Sequence, residues 1–475
     1  MTVRSPGHTV LASADSNVYA SVRRRPSSRA ERYAIGRALR REVPRKSLGI
    51  WRAADDRPDP VQLINQSHEG RLDWLIPVRV ARMISSPYGF LRGTAIVMAE
   101  DVARLPATGI NPVVCGDSHL GNFGFYASPE GELVIDLNDF DEAHPGSWEW
   151  DLRRLVASIW VAGRENGASE DQCRASVLAC VAAYRAELRF LADQPLLMRS
   201  YNRLDVGRLH ETATEKSLRD EIERSAKRAR SRTSDRALPR FTVERGDQRH
   251  IIEDPPLITR LNTQDYEAVA GSLDDYLGTL APHWRRVVGG YTLVDVAHKV
   301  VGVGSVGSRA WIVLFLGRDS DDPLFLQAKE AQRSVLEPYA GKSAFAHQGR
   351  RVVEGQRLMQ AASDIFLGWV RGEGLDGRER DYYVRQLWDG KASLEVDAMG
   401  PAELARYGEV CGWTLARAHA RSGDRVAIAA YLGGGTAFDD AVADFAETYA
   451  DQNERDYESL MEEVRAGRLE VREDL

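Results

Sequence analysis

The sequence predicts an α+β fold in two parts, a large helical part and a smaller part rich in antiparallel strands, and three observations carry that expectation. Apolar residues recur at helical spacing over 29–43, 58–107, 148–193, 264–287 and from 401 to the end. Three β-prone runs, 291–303, 309–316 and 324–328, follow one another across short Gly- or Asp-rich turns. A further hairpin stands among the helical stretches, with Phe123-Gly-Phe-Tyr126 and Glu132-Leu-Val-Ile-Asp136 flanking a Pro-Glu-Gly turn.

Taken in order, residues 1–30 are basic and Ser-rich with no sustained apolar core, so they read as a disordered lead-in rather than a signal peptide. Residues 31–287 form the expected large lobe, 288–390 the β-rich lobe, and 391–475 helices that pack back on the large lobe. Pro44 ends the first helix, and Ser86-Pro87 interrupts the strongest early one over 78–104. The region from Trp148 to about residue 193 reads as one long helical stretch. The basic run Lys227-Arg-Ala-Arg-Ser-Arg-Thr233 reads as a solvated helix end. Helical patterning over 351–368 and a strand over 382–387 complete the small lobe, and no internal repeat is present.

Composition narrows the function classes. A net charge of -7 argues against a general nucleic-acid binder, and no apolar run reaches the ~18–20 residues that a membrane span requires. The four cysteines (Cys115, Cys173, Cys180, Cys411) show neither CxxC pairing nor zinc spacing. They suit a reducing, cytoplasmic setting without structural disulfides.

The chemistry concentrates between Asp117 and Asp141. Asp117, His119 and Asn122 sit in a polar loop after a β-prone run, and Asp136, Asp139 and Asp141 end the next hairpin. Phosphoryl transfer needs a carboxylate to orient or deprotonate the attacking hydroxyl, hard oxygen ligands for Mg²⁺ and a cation on the phosphates. An Asp with an Asn five residues later supplies a base and one metal ligand, and an Asp closing the next hairpin supplies another. Downstream, Val301-Gly-Val-Gly-Ser-Val-Gly-Ser308 joins two strands, so Gly302, Gly304, Ser305 and Gly307 form a candidate phosphate-covering loop. A dinucleotide loop would open a helix instead. The strand Leu324-Phe-Leu-Gln-Ala-Lys329 ends in the candidate phosphate-gripping lysine. Glu354 is its expected helix partner, with Glu337 as the alternative. Ser118, His419 and most tryptophans read as structural, and Arg92 as a salt-bridge residue.

Gly116-Asp-Ser-His-Leu-Gly-Asn122, then Asp139-Phe-Asp-Glu-Ala143 and Trp150-Asp-Leu-Arg-Arg154, resemble the catalytic segments of the aminoglycoside phosphotransferase and choline-kinase branch of the protein-kinase-like superfamily. The resemblance implies a kinase-like two-lobe fold with Asp117 as base and His119 supporting the loop. Asn122 and Asp139 become metal ligands, with Asp136 and Asp141 competing for the latter role, while Asp151 braces the loop. The implied cofactors are ATP and Mg²⁺, with a small-molecule or protein hydroxyl as acceptor. In ordinary kinases the Gly loop and lysine precede the catalytic loop; here they follow it, which implies a circular permutation. Over about 40–451 the chain also resembles the bacterial family known as domain of unknown function 2252, through segments such as Arg57-Pro-Asp-Pro60, Gln327-Ala-Lys-Glu-Ala331 and Leu415-Ala-Arg-Ala-His-Ala420. That family implies no substrate. Nucleotidyl transfer, a nucleotide-binding scaffold and a metal-dependent hydrolase are the competing functions.

Overall fold

The computed structural model describes residues 27–195, 197, 203, 205–207, 216–245, 248–300, 306–319, 321–373, 377–387 and 390–472. The lead-in expected over 1–30 therefore lies, up to residue 26, outside the described residues. The first helix, Arg29–Glu42, begins where Ser28 and Glu31 form a reciprocal capping box.

The helical part is built on Trp148–Glu165, Glu170–Asp193, Pro401–Ser422 and Ala437–Arg465. Their apolar faces share one core, in which Trp148, Trp160, Tyr184, Leu415 and Phe445 are almost fully buried. The expected single helical stretch from Trp148 is two helices, because Gly167 takes a positive φ of 78° and Ser169 with Gln172 caps a new helix. The 78–104 stretch likewise divides, into Ile76–Met83, Pro87–Gly93 and Ala95–Ala103.

A buried ionic knot ties the early chain to the last helix. Arg57 donates to both oxygens of Asp101 (2.7 and 2.8 Å) and to Asp456 (2.9 and 2.5 Å), while the Tyr449 hydroxyl donates to Asp101 at 2.9 Å. Deleting the cation leaves two buried carboxylates side by side. Arg57→Ala is therefore expected to destabilise the fold by about 3–5 kcal/mol. It should appear as a lower urea midpoint at unchanged slope; a loss under about 1 kcal/mol would contradict the knot's role.

Thirteen strands are defined among the described residues, β1 to β13 in chain order. The pair β1 (Val113–Val114) and β4 (His144–Pro145) brackets the hairpin β2 (Phe123–Ala127) and β3 (Leu133–Leu137). The small hairpin β5 (Thr242–Arg245) and β6 (Gln248–Ile251) precedes the main sheet. That sheet contains β7 (Ile258–Arg260), β8 (Thr292–Lys299), β9 (Ala310–Leu316), β10 (Pro323–Glu330), β11 (Gly368–Glu373) and β12 (Glu379–Gln386), in the order β11-β12-β10-β9-β8-β7. Each neighbouring pair is antiparallel. The sheet thus begins at β7, upstream of residue 288. A last short strand, β13 (Ala392–Ser393), pairs with β2 and so links the chain leaving the sheet to the hairpin.

Both faces of the sheet are covered. Trp311, Val313, Phe315, Leu324 and Leu326 pack with Tyr276 of the helix Thr263–Thr279, whereas Ile312, Leu314 and Phe325 pack with Leu238 and Phe241 of Ser234–Phe241. The alternation along each strand is that of a pleated sheet with two buried faces, which is why β9 and β10 read as unbroken apolar runs. The basic run after Lys227 is the end of the helix Lys216–Arg230 and its following loop. All four cysteines are buried and free. Among the described residues no helix is long and apolar enough to cross a membrane.

Candidate active site

The catalytic-loop candidate is held by one helix face. Gly116 takes a φ of 78°, and a Cβ there would meet the Glu142 carbonyl at 2.7 Å, so the turn that starts the loop requires glycine. Asp151, in the first turn of Trp148–Glu165, accepts the backbone N–H groups of Cys115 at 2.7 Å and Gly116 at 2.8 Å. Its backbone carbonyl accepts from Ser118 Oγ at 2.7 Å. Arg154 follows three residues later and donates through Nε to Asp117 Oδ1 at 2.5 Å; Ser158 accepts the Leu120 N–H at 3.0 Å. Spacings of three and four residues put these three side chains on one helix face. Behind them His419 contacts Asp151 at 3.1 Å through Nε2 and Tyr184 at 2.8 Å through Nδ1, fully buried, so it supports the loop's brace.

Within the loop, His119 Nδ1 accepts the Gly121 N–H at 3.1 Å, and its Nε2 lies 3.8 Å from Asp117 Oδ2. Burial, with Arg92 and Arg154 adding like-charge repulsion, holds its imidazole well below the ordinary value and keeps it neutral. Asn122 donates through Nδ2 to the Asp117 carbonyl at 2.5 Å. Burial pushes the Asp117 carboxyl up to about 7; Arg154 opposes the rise, while Asp139 and Glu142 add to it.

The acidic segment meets the sheet. Lys329, at the end of β10 and only 3% exposed, pairs with Asp141 Oδ2, and the Tyr383 hydroxyl on β12 donates to Asp141 Oδ1 at 2.8 Å. Burial works against the charge on Lys329, but the carboxylates of Asp139 and Asp141 hold its ammonium above the ordinary lysine value. Burial likewise opposes the Asp141 carboxylate, yet Lys329 and Tyr383 keep it below the usual range. The helix Gln348–Met359 supports the same segment. Arg351 donates to the carbonyls of Asp141 and Ala143, each at 2.7 Å, and a Cβ on Gly355 would come within 2.7 Å of Ala143 Cβ.

One cavity of about 170 Å³ opens between the loop, the acidic segment and the sheet, and Asp141, the partner of Lys329, lines it while Lys329 itself does not. Asp117, His119, Asn122, Asp139 and Asp141 line the cavity together with Glu142, with Ser308, Glu330 and Gln332 from the sheet side, and with Arg71, Arg79 and Arg92.

Several expected assignments are corrected. Glu354 is not the partner of Lys329: it faces Arg357 at 3.4 Å, and the lysine's carboxylate comes from Asp141. The reason is helical phase: Arg351 and Gly355, one turn apart, face the acidic segment, and Glu354 is turned from them by about 60° and about 100° respectively. Glu337 and Glu330 do not replace it, since Glu337 sits on the short helix Glu337–Ala340 and Glu330 pairs with Arg309 and Arg380, both at 3.3 Å. Asp136 does not line the cavity. Buried and 5% exposed, it accepts from the N–H groups of Leu137 (3.0 Å) and Ala361 (3.2 Å) and lies 3.8 Å from Arg421. Both oxygens of Asp141 are engaged, which leaves Asp139 as the better placed acid. Arg92 makes no salt bridge among the described residues. Gly302, Gly304 and Ser305 lie outside the described residues; Gly307 has a φ of 91° and its carbonyl accepts the Leu72 N–H at 2.8 Å.

Sequence reasoning missed Arg71, Arg79, Arg154, Arg351, Tyr383 and Glu142. Only Arg154 carried a signal, three residues beyond Asp151 on a helix.

Among the described residues no three His, Cys, Asp or Glu side chains group closely enough to hold a metal by themselves. The Asp139 carboxylate and the Asn122 amide oxygen are hard donors of the kind Mg²⁺ uses, one or two at a time, alongside phosphate oxygens and water. The donor set fits that ion, with its remaining ligands coming from substrate.

Comparison with known proteins adds the family. The sequence profile of a bacterial family described as "Uncharacterized protein conserved in bacteria (DUF2252)" matches residues 71–463. The chain belongs to that family. No curated protein and no solved structure matches it.

Proposed function

We propose that the protein is an ATP- and Mg²⁺-dependent phosphotransferase acting on a hydroxyl group, built on a kinase-like fold with its two lobes in circularly permuted order. The observation that carries this reading is the pairing of Lys329 with Asp141, 188 residues away, Asp141 being one of the residues that line a cavity with Asp117, Asn122 and Asp139. Those residues are a base, hard metal donors and a cation, the groups phosphoryl transfer requires. The sheet supports it further: β8, β9 and β10 run antiparallel in succession, the lysine ends the third of them, and the helix Gln348–Met359 follows. Protein kinases place their lysine on a third strand and a helix after it.

On this reading Asp117 accepts the hydroxyl proton as the oxygen attacks the γ-phosphorus and the bond from that phosphorus to the bridging oxygen breaks, ADP leaving with the electron pair. Its elevated pKa suits a base that takes up a proton near neutrality, and Arg154 fixes the carboxylate's orientation. Mg²⁺, when bound to Asp139 and Asn122, supplies charge neutralisation on the phosphate oxygens. Lys329 holds the acidic segment in register with the sheet and adds positive charge beside Asp141. His119, neutral, keeps the loop's turn closed.

Thermal denaturation tests the reading. ATP with Mg²⁺ should raise Tm, since any ligand that binds only the folded state stabilises it by RT ln(1 + [L]/Kd). Asp139→Ala should abolish most of the shift. An unchanged Tm at millimolar nucleotide would sink the proposal and favour a scaffold or hydrolase.

A further inference from the structure

We infer that the cavity has a second, cationic wall that binds an anionic group on the acceptor, so that the acceptor is an acidic hydroxyl compound bearing a phosphate monoester or a carboxylate near the reacting oxygen. The inference rests on the phosphotransferase reading and names the class of substrate for it.

The wall consists of Arg71, Arg79 and Arg92. Of the other enclosed arginines, Arg57, Arg154 and Arg309 hold carboxylates, whereas Arg153, Arg351 and Arg425 donate to backbone carbonyls and line no shared cavity with one another. Arg71, Arg79 and Arg92 make no ion pair among the described residues. Arg71 donates to the backbone carbonyls of Ser67 and Val306, each at 2.7 Å. Burial lowers the pKa of Arg71, and the carboxylates of Glu142, Asp141 and Glu330 oppose that from beyond ion-pair distance. Arg79, 2% exposed, donates to Ser67 Oγ at 2.9 Å and to the Gly93 carbonyl at 2.8 Å, and its Nε has no partner. Arg92 stands over the Tyr88 ring at 5.8 Å, again with an enclosed Nε that has no partner.

Arg79 is the fully buried one of the three, and enclosing a cation with no ion-pair partner is costly. Three guanidinium groups converging on one cavity, with donors to spare, match an oxyanion that accepts several forked hydrogen bonds. Their place in the cavity selects the acceptor over the donor. Arg92 adjoins the catalytic loop, where a Cβ on Gly121 would lie 3.5 Å from its Nε. Arg79 is tied to Gly93, the next residue along. The donor's phosphates, on this reading, are met by Mg²⁺ at Asp139 and Asn122, with the positive charge of Lys329 beside Asp141. An acceptor with its hydroxyl at Asp117 therefore sets its neighbouring substituent against Arg92 and Arg79. A cationic acceptor of the aminoglycoside kind would be repelled there.

Titration calorimetry with inorganic phosphate tests the inference, using the full chain saturated with a nonhydrolysable ATP analogue and Mg²⁺ at fixed ionic strength. One phosphate site is expected, weakened at least ten-fold by Arg92→Gln, with nucleotide affinity within two-fold of the parent. Arg92→Lys, which keeps the charge, should recover part of the loss. Arg79→Gln provides a second variant, admitted only where its unfolding remains cooperative. No phosphate binding, or binding unchanged in both glutamine variants, would overturn the site. Equal weakening of phosphate and nucleotide would move the arginines to the donor and overturn the acceptor assignment. Arginine-dependent phosphate binding without any nucleotide binding would also overturn that assignment, through the failure of the phosphotransferase reading itself.

Discussion

Asp117→Asn is expected to lower kcat by about 10²–10⁴-fold while leaving nucleotide affinity nearly unchanged, because positioned general bases contribute on that scale. The substitution keeps the side chain's shape, and an amide oxygen can still accept from Arg154, so the loop should retain its geometry. What disappears is the capacity to take a proton. Steady-state ATP turnover with and without acceptor, together with a binding titration of an ATP analogue, separates the two effects. Full turnover in the variant would remove Asp117 from the reaction.

Asp151→Ala is expected to have the largest effect on the site's integrity. Its carboxylate receives the buried N–H of Cys115 and the partly buried N–H of Gly116 and contacts the buried His419. A buried donor left without an acceptor costs about 1–3 kcal/mol, so the Cys115 N–H alone sets a loss of that size. The same change frees the loop that carries Asp117, so turnover should fall even at temperatures where the variant stays folded. Asp151→Asn keeps one acceptor oxygen and should lie between the parent and the alanine variant. Urea unfolding reads the stability and single-temperature kinetics read the loop; an alanine variant with unaltered stability would contradict the bracing role.

The parts legible from sequence were those written in local periodicity. The β2–β3 hairpin announces itself by two β-prone runs around Pro129-Glu-Gly131, and β9 and β10 by apolar continuity that two-sided burial demands. The end of the first long helix was also legible in principle, since Asn166-Gly167 and the Ser169/Gln172 capping box mark it. Strands β5 and β6, with Glu244, Arg245 and Arg249, carry no such signal, and β11 is a strand because β12 offers a ladder for it. Asp117, His119, Asn122, Asp139 and Lys329 could be picked out because the spacing of short polar motifs survives in one dimension. The lysine's partner could not: whether Glu354 or Arg351 faces the acidic segment depends on the rotation of one helix against Ala143. The arginines were hidden for a deeper reason. Arg71, Arg79 and Arg92 become notable only through the carboxylates they lack, and lacking a partner is a property of the folded chain.

The central claim is that the catalytic-loop acids and the sheet lysine, reversed in chain order, serve one reaction centre. A crystal structure with a nonhydrolysable ATP analogue and Mg²⁺ tests it most directly. The account predicts metal density on Asp139 and Asn122, with the terminal phosphate between Asp117 and Lys329. Nucleotide bound away from these residues, or metal held by Asp136 instead of Asp139, would contradict it.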